Sequence, residues 1–272
     1  MKDGHIHTPF CPHGSNDRLE EYVERAISLG FTELSFTEHA PLPDGFEDPA
    51  PLKDSAMKWE HLEDYFQEIE QIKEKYQRKI KINCGLEVDY IEGFEEETKH
   101  FLNKYGNKLD DAVLSVHFLL FDNQYDCLDY SPDVFGEMAG RYGSVENVYE
   151  IYYNTLLKSI ESDLGPFKPK RIGHITLVHK FQLKYPPLHR FEDKILEVLH
   201  SIKGKGYELD YNGAGVNKPL CRETYPPEWV VKKAKSLGIP FVYGSDAHQA
   251  KELGQGLKEM PIQFINGKHN HR

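Results

Sequence analysis

No apolar run in this 272-residue chain approaches the roughly 20 residues needed to span a bilayer. The opening Met1-Lys2-Asp3-Gly4-His5 lacks the apolar stretch of a signal peptide, so a cytoplasmic protein is expected. Cysteine is scarce: Cys11, Cys84, Cys127 and Cys221 are widely spread and form no CxxC pair. That fits neither a disulfide framework nor a thiolate zinc site. Positive charge is in deficit, with 33 Lys and Arg against 44 Asp and Glu and a net charge of −11. A protein that grips nucleic acid through a basic surface is therefore disfavoured. Internal repeats, low-complexity tracts and linkers are also missing, and one domain over 1–272 is expected. What the chain has in excess is histidine, 14 in all, more than cysteine, methionine and tryptophan together. Histidine is the commonest metal ligand and titrates near neutral pH.

Short β-type runs alternate with amphipathic helical stretches. Helical spacing of apolar residues predicts helices over Asn16–Leu29, Lys58–Gln77, Phe94–Tyr105, Val145–Ile160, Phe191–Lys203 and Pro227–Leu237. Between them, β-branched and aromatic runs predict strands at Gly4–His7, Glu33–Thr37, Lys79–Val88, Ala112–His117, Arg171–Ile175, Tyr207–Tyr211 and Phe241–Gly244. Seven strand-then-helix units argue for a parallel sheet with helices outside. Without a Rossmann glycine fingerprint, a closed or nearly closed barrel is favoured over an open sheet. The Pro- and Asp-rich loop 41–53 reads as an excursion over one barrel end.

A barrel collects its chemistry where strands end. His5 and His7 close the first strand as H-x-H, with both imidazoles on one side. His13 follows in a turn. Glu38 and His39 end the second strand, Glu87 lies near the end of the third, His117 closes the fourth, and His174 belongs to the fifth. Asp246 and His248 end the last strand with i, i+2 spacing. Seven histidines and two carboxylates suit zinc, iron or manganese. Nine ligands exceed what one ion takes, so a multinuclear site is expected, with open positions for water and substrate. The alternative, nine polar groups buried together without metal, is costly. His61, His100, His189 and His200 read as solvated. His269 and His271 belong to a tail expected to fray.

These residues, in this order, resemble the PHP superfamily of polymerase-associated and histidinol-phosphatase domains. The motifs are His5-Ile6-His7, Thr37-Glu38-His39-Ala40, Gly85-Leu86-Glu87, Ser115-Val116-His117, Gly173-His174 and Ser245-Asp246-Ala247-His248. The runs 3–14, His39-Ala40-Pro41-Leu42-Pro43, Tyr152-Tyr153 and Arg171-Ile172-Gly173-His174 resemble its stand-alone histidinol-phosphate phosphatases. The resemblance implies a distorted (β/α)7 TIM-like barrel, an α/β fold, with three divalent ions at its C-terminal face. Zinc is favoured, with iron or manganese as alternatives. It implies that His5, His7, Glu87 and Asp246 hold a first ion, that Glu87 bridges to a second with His117 and His174, and that His13, His39 and His248 hold a third.

The implied reaction is hydrolysis of a small phosphate monoester by water activated between ions, with no phosphoenzyme. Asp246 and His248 are the candidate catalytic residues, Asp246 as proton donor to the leaving oxygen. Candidates to grip phosphate are Arg141, Lys180, Arg190, Lys218 and Arg222. His179 is a candidate substrate contact. Asp44, Glu47, Tyr211 and Asn212 are candidate acceptors for the amine and imidazole of histidinol phosphate. Competing readings are a PHP phosphoesterase acting on nucleotides, sugar phosphates, phosphotyrosine or a nucleic-acid end, a non-catalytic metal-binding protein, and a metal-dependent amidohydrolase. No nucleic-acid or membrane partner is expected, and a homo-oligomer is left open.

Overall fold

A computed structural model of the chain describes residues 1–260; His269, His271 and the last part of the 1–272 span lie outside the described residues. In chain order the elements are β1 (Lys2–Ile6), α1 (Leu19–Ser28), β2 (Glu33–His39), α2 (Leu62–Tyr76), β3 (Lys81–Asp89), α3 (Glu95–Tyr105) and β4 (Asp111–Ser115). There follow β5 (Phe118–Phe121), β6 (Gln124–Cys127), α4 (Pro132–Tyr142), α5 (Val145–Glu161) and β7 (Arg171–Ile172). The last are α6 (Glu192–Lys205), β8 (Glu208–Asn212), α7 (Glu228–Ser236) and β9 (Phe241–Gly244).

Seven strands pair in parallel in the order β1-β2-β3-β4-β7-β8-β9. The ends meet beyond the strands proper, where Asp246 N–H donates to the His5 carbonyl at 2.7 Å and His7 N–H donates to the Ala247 carbonyl at 3.0 Å. The sheet is thus a nearly closed barrel, as the strand count predicted. The apolar face of α2, Leu62, Tyr65, Phe66, Ile69, Ile72 and Tyr76, is buried as its helical spacing requires.

At the N-terminal end of the barrel, the first residues of six successive strands alternate in charge: Lys2, Glu33, Lys81, Asp111, Arg171 and Glu208. Arg171 is the largest of the fully buried side chains. It donates to the Gly4 carbonyl at 2.9 Å and pairs with Asp111 at 2.9 Å. Lys2 reaches the same carboxylate at 2.7 Å, and Ser35 Oγ donates to it. This base is a self-neutralising polar layer.

The structure departs from the sequence expectations in four places. Strands β1, β4 and β9 stop at Ile6, Ser115 and Gly244, so His7, His117, Asp246 and His248 lie just past the strand ends. The fifth strand is only Arg171–Ile172, so His174 lies beyond it, not within it. The chain there presses against β4: a Cβ on Gly173 would come within 2.1 Å of Ser115 Oγ. The antiparallel hairpin β5–β6 was not anticipated. Its turn, Asp122-Asn123, places both central residues at positive φ, as a type I′ turn requires, in a form less familiar than Asn-Gly. Helix α4 also escaped notice, although its signals are present. Ser131 Oγ accepts from Val134 N–H, Pro132 opens the first turn, and Gly143 closes the helix in the left-handed region. The loop 41–53 folds onto the hairpin, where Phe46 packs edge-on against Phe118 and Tyr125.

Candidate metal centre

The strand register assembles the site. β2 and β3 pair residue for residue, which sets His39 beside Glu87. Glu87 is the hub. Its Oε2 faces His5 Nε2 at 3.3 Å, His7 Nε2 at 3.5 Å and His39 Nδ1 at 3.2 Å. Its Oε1 faces His174 Nε2 at 2.9 Å and His117 Nε2 at 3.8 Å. Asp246 Oδ1 lies 3.2 Å from His7 Nε2 and 4.0 Å from His5 Nε2. The His248 ring stacks on His7 at 4.0 Å, and the His13 ring lies 5.0 Å from His248 and 5.2 Å from His39. All nine candidate ligands therefore gather at one mouth of the barrel.

Five of these imidazoles are tethered through Nδ1. His5 donates to Asp210 at 2.9 Å, His7 to Glu38 at 3.2 Å and His117 to Asp89 at 2.7 Å. His248 donates to the Asp246 carbonyl at 3.1 Å and His13 to the Asp54 carbonyl at 2.7 Å. Each partner oxygen only accepts, so each Nδ1 carries a hydrogen and Nε2 is left as the free donor atom. The Nε2 atoms of His5 and His7 are buried without a hydrogen-bond partner. A bare nitrogen facing a carboxylate at 3.3–3.5 Å inside a buried site calls for a positive charge between them, a proton or a metal ion.

The residues fit metal ions on that ground. Ligand atoms within 4.8 Å of one another form the groups His5/His7/Glu87, Glu87/His117/His174, His39/Asp89/His117 and His7/Cys11/His39/His248. Gly244 makes one tether sterically feasible: a Cβ there would come within 2.4 Å of Asp210 Oδ1 and 2.6 Å of His5 Cβ. Asp246 takes a positive φ of 53° at the turn that closes the barrel, a strained backbone that aims its carboxylate inward.

The electrostatics divide the ligands into two kinds. Burial favours the neutral form of Glu87 and Asp246, but the surrounding imidazoles outweigh it and hold both carboxyls well below the usual range. Burial, reinforced by neighbouring histidines, keeps His39 and His248 neutral. At His7 and His117 burial is overridden by carboxylates, which push these groups up to about 9 and about 10. These positions favour positive charge, so a divalent ion bound there displaces protons.

A cavity of about 380 Å³ opens over this centre. Among the candidate phosphate contacts, Lys180 and Lys218 line it. The other candidates do not. Arg141 lies on the exposed side of α4, paired with Asp126 and donating to Gln124. Arg190 is exposed in the loop before α6, and Arg222 is exposed at a positive-φ turn. His179 is buried beneath the wall, donating from Nδ1 to Glu223 at 2.6 Å with Tyr153 Oη 3.2 Å from Nε2. Asp44 and Glu47 are exposed, while Tyr211 and Asn212 are buried away from the cavity lining.

Sequence reasoning overlooked Asp89, Asp210 and Asp129. Asp89 follows Glu87 at i+2, so its inward direction was readable from strand alternation. Asp210 carried no comparable local signal, since its meaning depends on His5, 205 residues away.

Comparison with known proteins adds to this geometry. A family profile described as PHP domain matches residues 3–214, and one described as PHP-associated matches 230–265. The histidinol-phosphatase of Bacillus subtilis is 50% identical over 255 residues, covering 93% of this chain and 95% of that protein. The crystal structure of HisK from Listeria monocytogenes superposes with a TM-score of 0.91 at 42% identity, covering 96% of this chain and all of that one. Histidinol phosphate phosphatase from Lactococcus lactis, in complex with zinc, L-histidinol and phosphate, shares the fold with a TM-score of 0.67 at 22% identity, covering 92% and 86% of the two chains.

Proposed function

The chain belongs to the PHP domain family, and on that premise we propose that it is a metal-dependent histidinol-phosphatase, hydrolysing L-histidinol phosphate to L-histidinol and inorganic phosphate. The observation that carries this reading is Glu87, with the bare Nε2 atoms of His5 and His7 facing one oxygen and that of His117 facing the other, under a cavity of substrate size. The near full-length similarity to the Bacillus subtilis enzyme supports the substrate. Three divalent ions are the occupancy we favour, zinc before iron or manganese. One set is His5, His7, Glu87 and Asp246, a second Glu87, His117 and His174, and a third His13, His39 and His248. Among the described residues no helix is long and apolar enough to cross a membrane. A cytoplasmic biosynthetic enzyme is the corresponding cellular assignment.

Divalent ions supply Lewis acidity toward phosphoryl oxygens and lower the pKa of water at such a centre. The protein's own groups set the stage for that chemistry. Asp210, Glu38 and Asp89 fix the tautomers of His5, His7 and His117, so three Nε2 atoms are presented without rearrangement. Lys180 is half-buried in the wall and held by Asp129 at 2.8 Å, offering a fixed positive charge to the phosphate dianion. Lys218, exposed at the rim, adds attraction on approach to an otherwise acidic molecule.

Asp246 receives Asn212 Nδ2–H on Oδ2 at 3.1 Å, which orients its ionised carboxylate beside His248, where it would accept the proton of the attacking water and pass it to the leaving oxygen. Cys127 in the wall is no nucleophile, because burial and the Asp129 charge push its thiol well up. On this reading water attacks phosphorus directly, with no phosphoenzyme.

Phosphate release from histidinol phosphate, AMP, a sugar phosphate, phosphotyrosine and a short oligonucleotide tests the assignment, with and without chelator and in Asp246→Asn. Chelator-sensitive preference for histidinol phosphate, lost in the variant, is expected. Preference for nucleotides or oligonucleotides would overturn the substrate, and no release from any ester would overturn the phosphatase.

A further inference from the structure

The metal-facing floor of the cavity accounts for the phosphate, which leaves open what recognises the alcohol. Four carboxylates in the lining are not among the nine candidate metal ligands: Asp54, Asp89, Asp129 and Glu252. Three are already engaged. Asp89 accepts from His117, Asp129 from Lys180, and Glu252 from the His248 N–H at 3.0 Å and from Gln249 Nε2 at 2.6 Å. The Asp54 carboxylate has no hydrogen-bond or ion-pair partner among the described residues.

Its backbone, by contrast, is fixed on both sides. The Asp54 carbonyl accepts His13 Nδ1–H at 2.7 Å. The next residue, Ser55, is bound through both N–H and Oγ to the buried Asp48 carboxylate at 3.0 and 2.9 Å. Asp48 also accepts the Ala50 N–H, so one buried side chain folds the loop that carries Asp54. A half-buried carboxylate that is rigidly placed yet uncompensated in a cavity wall selects a cation.

We infer that Asp54 is a specificity-determining residue that takes the ammonium group of the leaving alcohol, so that the enzyme selects phosphate monoesters of amino alcohols. The inference rests on the phosphatase reading above and sharpens it. The phosphate end is anchored at the Glu87 centre and the amine end at the 48–55 loop. An alcohol lacking the amine leaves the Asp54 carboxylate desolvated and unpaired, which discriminates more strongly than loss of an apolar contact.

The test compares L-histidinol phosphate with 3-(imidazol-4-yl)propyl phosphate, which keeps the ring and phosphate but lacks the amine. In the wild type, kcat/KM should favour the aminated ester by about tenfold or more. In Asp54→Asn that ratio should collapse toward one, chiefly through KM for the aminated ester, and Asp54→Glu should restore part of it.

A ratio unchanged in Asp54→Asn would overturn the inference. That includes equal loss on both esters, the signature of a disturbed His13 or a misfolded loop. A wild type indifferent to the amine would overturn it equally. If the wild type prefers another amino-alcohol phosphate, such as phosphoethanolamine, to L-histidinol phosphate, the histidinol assignment fails, and the ratio of phosphoethanolamine to propyl phosphate turnover in Asp54→Asn still judges Asp54.

Discussion

The barrel buries charge at both ends of its interior, and the two ends balance it differently. At the base, anions and cations come from the chain itself: Asp111 is met by Arg171, Lys2 and Ser35. At the mouth, Glu87 and Asp246 each have one neutral donor, Ser115 Oγ and Asn212 Nδ2, and otherwise face imidazoles rather than Lys or Arg. The base supplies both signs of charge from the chain itself, leaving Arg171 Nε and Nη1 without hydrogen bonds, whereas on the proposed reading the mouth takes its cations from solution. Stability and function can therefore be separated along the barrel axis.

The largest effect should come from the mouth. Glu87→Gln removes the charge that faces five histidines, and kcat/KM should fall by at least about 10³-fold, or about 4 kcal/mol. Metal content by atomic emission should fall with it. Retention of both would erase the distinction between the two ends.

At the base the prediction concerns folding. Arg171→Leu removes the buried partner of Asp111, leaving it only the half-exposed Lys2 and Ser35, and should cost about 3–5 kcal/mol in urea unfolding. The double variant with Asp111→Leu should recover part of that loss. A single variant within about 1 kcal/mol of wild type would show that the base network is solvated or relaxes freely.

Acid should sharpen the contrast further. Burial alone would raise the Asp111 carboxyl, but Arg171 and Lys2 bring it down to about 2. Its folded-state value is depressed, so its contribution of about 2 kcal/mol is present above about pH 4 and lost as pH falls through about 2. Urea midpoints between pH 5 and 2, measured in chelator so that the mouth is metal-free in both proteins and its carboxyls contribute alike, should fall more in wild type than in Arg171→Leu. Parallel pH curves would refute the attribution.

The smallest effect is expected at a tether. Asp89→Asn loosens the His117 tautomer without removing a ligand atom of the three sets, and metal affinity should fall about 10- to 100-fold. Titration with a competing chelator reads this directly. An unchanged affinity would mean that Asp89 does not orient His117.

Much of this was legible in the sequence because it is local. H-x-H declares itself through strand alternation, which needs only two residues and a pleat, whereas the D-x-H pair sits in a turn past β9 and was legible only by residue type and spacing. The alternating charges that open the strands were not legible, because four of the expected strands begin at Gly4, Lys79, Ala112 and Tyr207 rather than at Lys2, Lys81, Asp111 and Glu208, and only the closed sheet gives them partners. Helix α4 carried a complete set of cap signals, and overlooking it was a failure of reading. Arg141 illustrates the opposite limit. It is as basic as Lys180, but nothing local tells that one falls beside Asp126 on the surface and the other beside Asp129 in the wall.

The sequence by itself determined the alternation of strands and helices, the seven-strand count, the absence of a membrane-spanning run and the nine residues with ligand chemistry. These follow from periodicity and side-chain type, which act over a few residues. Only the tertiary structure decided that Glu87 stands at the hub, that Asp210 tethers His5 across 205 residues, and that Asp54 rather than Asp44 or Glu47 reaches the cavity wall. Those choices depend on strand register and loop closure, and they are made between residues that no local pattern connects.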